Sequence, residues 1–333
     1  MIRLGIMGLG YIGRVHLAAA GAVGANVTAV ASRRAIATDI PPGARVYHDY
    51  DEFVRNAAVD AIVLCLPTWL HEEYAQAAFA AGRHVLCEKP LALNAAAAER
   101  IVLAAEASGV VFMVAQVLRF WPHYVRLKEA VADGAVGAIF NCHAWRLSAY
   151  PNWAEWFRDP AKSGGALLDL QIHDLDLIYS LFGPPRAVAC AGIRSDSGAL
   201  DSVHTTLHFA SSMATIDASF MFPATWPFSA GMRVVGNHGA LEYAFRAAAN
   251  IAGRDAASQS LNFFPSGSEP RSISVPVEDA YQNQLNYFLE RVARHEPPAR
   301  CPPRESLAVL RCIEACRQSA AEGGQPVCFE SRS

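Results

Sequence analysis

RLGIMGLGYIG, residues 3–13, is the stretch of sequence that decides the fold. Its first part, Arg3–Met7, is a short apolar run typical of a buried strand, and a helical pattern begins at Ile12. The first glycine of the Gly-x-Gly-x-x-Gly pattern permits a tight turn, the second lets backbone amides approach a pyrophosphate, and the third allows close packing of helix on strand. A glycine-rich turn is the alternative, but the strand-to-helix context favours dinucleotide binding, with phosphate at the helix N-terminus. The predicted cofactor contacts here are Gly8, Gly10, Tyr11, Ile12 and Gly13.

The first 118 residues alternate strand-like and helical stretches. Such alternation requires crossover connections and predicts a parallel, doubly wound sheet, so we expect an α/β Rossmann domain over residues 1–118. The predicted strands are Arg3–Met7, Asn26–Ala31, Ala44–Tyr47, Ala61–Leu66, His84–Cys87 and Val110–Val114, and the predicted helices are Ile12–Ala22, His71–Ala81 and Asn94–Ser108.

The pattern changes after residue 118, because strand-like segments follow one another without helices between them. This order predicts an α+β domain over residues 119–333, with a mainly antiparallel sheet that carries helices on one face. One apolar helix is predicted at Ala166–Phe182, two amphipathic helices at Ala280–Arg294 and Arg304–Glu322, and a loop at Ala249–Pro270.

Composition excludes several classes of function. The 333 residues carry 28 Lys and Arg against 31 Asp and Glu, a formal net charge of −3, so a nucleic-acid partner is not expected. No apolar segment is long enough to cross a bilayer, and the N-terminus reads as a strand, so we expect a cytoplasmic protein without membrane attachment. The eight cysteines form no Cys-x-x-Cys pair, which indicates reduced thiols, and no metal site is predicted.

The end of the second strand bears on cofactor choice. An acidic residue about twenty positions after the glycine motif usually binds the ribose of NAD, whereas this chain has Ser32, Arg33 and Arg34. Guanidinium groups form forked hydrogen bonds to phosphate, so the sequence favours NADP, with NAD as the alternative. A merely solvated pair of arginines is the other interpretation.

Two further turns follow predicted strands, at the edge where open α/β sheets bind ligands. In the first, Leu66, Pro67, Thr68 and His71 are predicted to line the cofactor, although His71 is equally well explained as the start of a helix. In the second, Glu88 and Lys89 precede a proline. The Lys89 ammonium is suited to hydrogen-bonding a substrate oxygen and stabilising negative charge on it, while a surface turn is the alternative.

The helix at Ala166–Phe182 carries the sharpest residue-level indication. At about 100° per residue, Asp169, His173, Asp176 and Ser180 fall on one stripe of an otherwise apolar helix. Buried polar groups must be paired or face a cleft, so the stripe is either a core network or a functional site. An acid four residues before a histidine also orients an imidazole for proton transfer.

These features together resemble the Gfo/Idh/MocA family of glucose-fructose oxidoreductase and inositol dehydrogenase-like enzymes. The resemblance covers nearly the whole chain. The matching segments are Ile6–Gly13, Pro67–Leu91, Arg119–Phe120, Gly164–Asp176, Val235–Ala240 and the C-terminal helix that ends near Gly323.

The resemblance implies a Rossmann domain followed by a substrate-binding and oligomerisation domain with a large open sheet, and a homodimer or homotetramer. It also implies that Lys89 and Asp169 bind the substrate and that His173 is the general acid and base. Substrate contacts are further expected from Arg119, from Trp121, which stands where many members have Asn, and from Trp153, unless the tryptophans only pack.

The expected function is NAD(P)-dependent oxidation or reduction at a hydroxyl or carbonyl carbon of a sugar, cyclitol or related polyol. An NAD-dependent glycoside hydrolase that uses transient oxidation is one alternative. A dinucleotide-sensing regulator is another, although Lys89, Asp169 and His173 together argue against it.

Overall fold

The computed structural model describes residues 1–34, 36, 39–151, 155–247 and 257–329. The chain forms two compact units. Met1–Phe120 and Glu278–Leu307 form the first, and Trp121–Val277 and Ala308–Ser333 form the second. The sequence had predicted a single boundary between residues 118 and 119, and the structure adds a C-terminal segment to the first unit.

The first unit contains a parallel sheet that, within its described residues, has six strands. The strand order is β3-β2-β1-β4-β5-β6, and every neighbouring pair is parallel, which confirms the predicted doubly wound Rossmann arrangement. Fully buried side chains such as Ile6, Val63 and Leu86 form its core. The elements are β1 Arg3–Met7, α1 Tyr11–Ala22, β2 Asn26–Ala31, β3 Arg45–Tyr47, α2 Tyr50–Asn56, β4 Ala61–Leu64, α3 His71–Ala80, β5 His84–Glu88, α4 Ala95–Ser108 and β6 Phe112–Ala115.

The second unit contains a mixed sheet with nine strands in the described part of the chain. Its order is β14-β13-β12-β11-β7-β10-β9-β8-β15, and among these described strands only β7 and β10 pair in parallel, so the predicted mainly antiparallel sheet is confirmed. The elements that follow β6 are α5 Pro122–Ala132, β7 Ile139–Ala149, α6 Pro160–Ser163, α7 Ile172–Phe182, β8 Ala187–Arg194, β9 Leu200–His208, β10 Met213–Phe222, β11 Ser229–Gly236, β12 Gly239–Arg246, β13 Ser258–Pro265, β14 Arg271–Ser272, α8 Ala280–Arg294, α9 Pro303–Ala321 and β15 Val327–Cys328. Of these, α8 and the start of α9, up to Leu307, belong to the first unit.

Strand β13 corrects the prediction of a loop at Ala249–Pro270. Leu261 and Phe263 alternate with polar residues and are buried, and the strand pairs antiparallel with β12 along its whole length. Small polar residues around these two positions conceal the period-two pattern in the sequence. The prediction was therefore wrong over the part of this range that the structure describes as strand.

Helix α8 explains why a C-terminal segment joins the first unit. Its apolar face buries Leu285 and Phe288. The Tyr281 ring meets the His16 ring of α1 edge to face, with centroids 5.5 Å apart, and Tyr287 contacts Phe120. Such contacts between distant parts of the chain are not visible in a local pattern of residues.

Candidate active site

The glycine turn lies at the switch point of the first sheet, between β1 and β4. Gly8 has a positive φ of 93°, and a Cβ added there would lie 2.5 Å from the Cys65 carbonyl oxygen. A Cβ on Gly13 would lie 1.8 Å from the Gly8 carbonyl oxygen. Both positions therefore require glycine, for the turn and for the approach of α1 to β1.

Gly10, the second glycine of the motif, has open space beside it. Among the described residues, no heavy atom outside its immediate neighbours lies within 4 Å of a Cβ built on Gly10. Gly10 is also the N-cap of α1, and no described side chain caps this helix end. Open space above exposed amide groups at the start of a twelve-residue helix fits a pyrophosphate. Tyr11 and Ile12 are the first two residues of α1, and Tyr11 is exposed.

The end of β2 presents a guanidinium held by two tyrosines. One terminal nitrogen of Arg33 lies 3.0 Å from the Tyr74 hydroxyl, and its Cζ lies 4.5 Å from the centroid of the Tyr50 ring. Ser32 is buried, and its hydroxyl donates to the Arg34 carbonyl oxygen at 2.9 Å, which closes the turn. Arg33 and Arg34 are exposed, so their cationic groups are accessible to an anion.

The turn after β4 carries the next predicted cofactor residues. Leu66 and Thr68 are largely buried, Pro67 is half-buried, and a 3-10 turn over Thr68–Leu70 leads into α3. His71, the first residue of α3, is fully buried. Its two ring nitrogens lie 2.9 Å from the Pro90 carbonyl oxygen and 2.8 Å from the Leu66 carbonyl oxygen. Burial lowers the pKa of His71, and its hydrogen bonds to these carbonyls oppose that shift.

The turn after β5 holds Lys89. Because β4 and β5 are parallel neighbours, Lys89 follows its strand at the sheet edge that also carries the turn after β4. The preceding Glu88 is buried, and its two carboxylate oxygens are used differently. One lies 2.7 Å from His16 Nε2, and the other accepts the backbone N–H of Lys89 at 3.1 Å. Sequence reasoning did not identify His16, which is a solitary histidine in an apolar helix.

The second unit contains Asp169 and His173. A π-helical turn spans Ala166–Leu170, marked by a hydrogen bond from the Gln171 N–H to the Ala166 carbonyl oxygen at 2.8 Å. Asp169 lies within this turn and His173 in the first turn of α7, and both are half-buried. By contrast, Asp176 is buried, so the predicted polar stripe does not have one uniform environment. Short π segments occur often at functional sites.

A buried ion pair lies beside His173. The Arg146 guanidinium of β7 donates two hydrogen bonds, each of 2.8 Å, to the two carboxylate oxygens of Asp174. Their side chains are 7% and 0% exposed. Burial raises the pKa of Asp174, and the guanidinium opposes this shift, while the forked geometry is that of an ion pair. No local pattern of residues indicates this pairing.

The chain matches two family models. Residues 2–116 match the family model described as an oxidoreductase family with an NAD-binding Rossmann fold, and residues 124–242 match the GFO/IDH/MocA C-terminal domain. The chain belongs to the Gfo/Idh/MocA family of oxidoreductases. It is therefore an NAD(P)-dependent enzyme, and the resemblance inferred from the sequence is confirmed.

Several relatives within this family are similar to the chain. An inositol 2-dehydrogenase from Paracoccus denitrificans is 38% identical over 185 residues, and the match spans only 53% of each chain. A D-xylose 1-dehydrogenase (NADP(+)) from Haloferax volcanii is 31% identical over 304 residues, 90% of this chain and 87% of that protein. The crystal structure of an aldose-aldose oxidoreductase from Caulobacter crescentus, complexed with glycerol, has the same fold. It gives a TM-score of 0.83 at 24% identity, over 98% of this chain and 99% of that one.

The remaining predicted substrate residues of this Gfo/Idh/MocA protein have the following surroundings. Arg119 is buried in the first unit and donates to the Arg300 carbonyl oxygen at 2.8 Å and to Glu305 at 2.5 Å. Trp121 packs edge to face on Phe245 in the second unit. Trp153 lies outside the described residues. These three residues stay predictions as substrate contacts.

No helix in the described part of the chain combines the length and the apolar character that a transmembrane helix needs.

Proposed function

We propose that this enzyme oxidises or reduces a sugar, a cyclitol or a related polyol at one hydroxyl-bearing carbon. The observation that carries the proposal is the position of Lys89, at the sheet edge where the first unit also carries its glycine turn. A lysine there suits a substrate oxygen, and ligands of open α/β sheets bind at this edge. The relatives named for inositol and D-xylose support a polyhydroxylated substrate.

The chemistry is divided among three side chains. A bound nicotinamide supplies the hydride acceptor for oxidation and the hydride donor for reduction. During oxidation, His173 takes the proton of the substrate hydroxyl at an imidazole nitrogen. The Lys89 ammonium hydrogen-bonds a substrate oxygen and stabilises negative charge on it, and Asp169 orients the hydroxyl and the imidazole. The half-buried state of both Asp169 and His173 supports this role, since it leaves each side chain partly accessible.

The proposed cofactor is NADP. Arg33 supplies the supporting observation, because Tyr50 and Tyr74 hold its guanidinium while the residue stays exposed at the end of β2. A guanidinium fixed in this manner loses little conformational freedom on binding a 2′-phosphate. The Haloferax relative is named for NADP(+), which agrees with this preference.

We also propose that the protein acts in the cytoplasm as a homodimer or homotetramer. The open face of the second sheet supports assembly, because it exposes Ile193, Met213, Met221 and Phe264. Within the described residues the eight cysteines form no disulfide, and seven of them are buried, which suits a reducing compartment.

A substrate panel tests the proposal. Pentoses, hexoses, inositols and open-chain polyols are each incubated with NADP and with NAD, and the nicotinamide absorbance is followed. Turnover of at least one polyol, with kcat lowered about 10²- to 10⁴-fold in Lys89→Ala and in His173→Ala, is the expected result. Cofactor that co-purifies with the enzyme and undergoes no net change, together with glycoside cleavage, would instead favour the hydrolase. Binding of cofactor without turnover of any compound would favour the regulator.

A further inference from the structure

Two buried histidines contact the turn that carries Lys89, one on each side of it. His16 projects from α1 and places Nε2 at 2.7 Å from the Glu88 carboxylate. His71 begins α3 and places Nδ1 at 2.9 Å from the Pro90 carbonyl oxygen. Both rings are 0% exposed, so neither is available to a substrate in solution. The residues that they contact directly precede and follow Lys89 in the chain.

The contact from His16 reaches Lys89 through a single carboxylate. Glu88 accepts from the imidazole on one oxygen and from the Lys89 backbone N–H on the other. Glu88 and His16 are buried, and burial, together with the nearby Glu88 carboxylate, raises the pKa of the Cys65 and Cys87 thiols, so this side of the turn is poorly solvated. In such surroundings a carboxylate oxygen that loses its donor is costly. His16 therefore fixes the carboxylate, and the carboxylate fixes the backbone of Lys89.

The contact from His71 joins two turns. Its second nitrogen, Nε2, lies 2.8 Å from the Leu66 carbonyl oxygen in the turn after β4. A neutral ring donates to one of the two carbonyls, and a protonated ring donates to both. In either state the ring connects the predicted cofactor-lining turn at Leu66 with the backbone just beyond Lys89.

We propose that His16 and His71 are positioning residues, which act through Glu88 and Pro90 respectively to hold the Lys89 ammonium in its working position. This inference rests on the proposed function, in which Lys89 hydrogen-bonds the substrate oxygen. Displacement of a reacting group by about 1 Å can cost 10²-fold in rate, so a constraint on the turn from both sides has a direct catalytic consequence. If His16 and His71 only stabilised the fold, replacing them would not affect catalysis through Lys89.

The two histidines use different ring nitrogens, which allows a matched experiment. The amide nitrogen of Asn can replace Nδ1 of histidine, and that of Gln can replace Nε2. We therefore expect His16→Gln to retain much more activity than His16→Asn, since Nε2 contacts Glu88. The order is expected to reverse at the other position, with His71→Asn more active than His71→Gln, since Nδ1 contacts Pro90.

The readouts are kcat and KM on the polyol found in the panel, with cofactor Kd and Tm measured for each variant. The unfavourable amide at each position should lower kcat by about 10- to 100-fold relative to the favourable one. In a Lys89→Ala background, the same exchange should change kcat by less than about twofold, because contacts that act through one residue are not additive. Equal kcat for Asn and Gln at both positions, or a loss that persists without the lysine, would overturn the proposal.

Hydrogen exchange of the peptide covering residues 84–93 provides a readout that needs no turnover. The Lys89 amide donates to Glu88, so it should exchange faster in His16→Asn than in His16→Gln. If no polyol is turned over but this difference is present, the proposed function fails while the positioning contact stands. If Lys89→Ala strongly lowers kcat and the four amide variants show no reciprocal pattern, the positioning role fails and the function stands.

Discussion

Replacing Arg33 with alanine should separate the two nicotinamide cofactors. The guanidinium has five N–H donors, and one terminal nitrogen faces the Tyr74 hydroxyl at 3.0 Å. Donors are therefore left for a forked pair of hydrogen bonds to a 2′-phosphate, while the Tyr50 ring 4.5 Å from Cζ limits the movement of the group.

The size of the effect follows from this arrangement. A hydrogen bond to a charged group contributes about 1.5–3 kcal/mol, and the loss in Arg33→Ala should lie in that range because the phosphate of the mutant complex regains water. This corresponds to an increase of about 10- to 150-fold in the Kd of NADP(H). NAD(H) lacks the phosphate, so its Kd should change by less than about threefold. Arg33→Lys should have a Kd for NADP(H) between those of the unmodified protein and Arg33→Ala, since lysine keeps the charge and loses the forked pair of donors.

Isothermal titration of each variant with NADPH and NADH measures both constants directly. Repeating the titrations at two salt concentrations provides a control, because a charge-assisted contact weakens as ionic strength rises. Tyr74→Phe is the matched variant, since it removes only the hydroxyl that faces Arg33 and should weaken NADPH binding by a smaller factor. Equal affinity of the unmodified protein for both cofactors, or equal weakening of both in Arg33→Ala, would refute the argument.

The remaining predictions concern the second unit. His173→Ala should lower kcat by about 10²- to 10⁴-fold with little change in cofactor Kd, and near-normal kcat across pH 6 to 9 would contradict its role as acid and base. Arg146→Met should lower the free energy of unfolding by about 3–5 kcal/mol, because it leaves the Asp174 carboxylate buried and unpaired. Adding Asp174→Leu should restore much of that loss in a urea titration, and no recovery would count against the assignment of the cost to the unpaired charge. Light scattering should give a dimer or tetramer, and Met221→Glu on the open sheet face should reduce its size; a monomeric parent protein would refute that expectation.

Local patterns of residues were sufficient to predict most of the fold. The alternation of strands and helices up to β6 predicted the parallel sheet, because each crossover is encoded by a few neighbouring residues. Contacts between distant segments were not predictable in the same way. Helix α8 was expected from its amphipathic pattern, but nothing in that pattern indicates that its aromatic residues meet α1. Strand β13 was missed because only two buried residues mark its core-facing side.

The candidate site shows the same division. Turn chemistry identified the glycine motif and Lys89, since both follow strands that the sequence predicts. The histidines that contact the lysine-bearing turn were harder to interpret. From the sequence, His71 is equally well explained as a cofactor contact or as a helix start, and in the structure it begins α3 while its ring contacts two backbone carbonyls. A side chain whose partners are backbone atoms leaves no complementary residue type for sequence reasoning to find.

The π-helical turn and the Arg146–Asp174 pair together explain how an apolar helix presents His173. Periodicity at 100° per residue assumes one helical geometry, but the hydrogen bond from Gln171 to Ala166 spans five residues and shifts the phase between Asp169 and α7. Within α7, Asp174 follows His173 by one residue and therefore points about 100° around the helix from it. Since Arg146 holds Asp174 in the core with two hydrogen bonds of 2.8 Å, the rotation of α7 about its axis is fixed. His173 is thereby held on a half-buried side of the helix, which suits the proton-transfer role proposed for it because the residue is partly exposed and partly shielded from water.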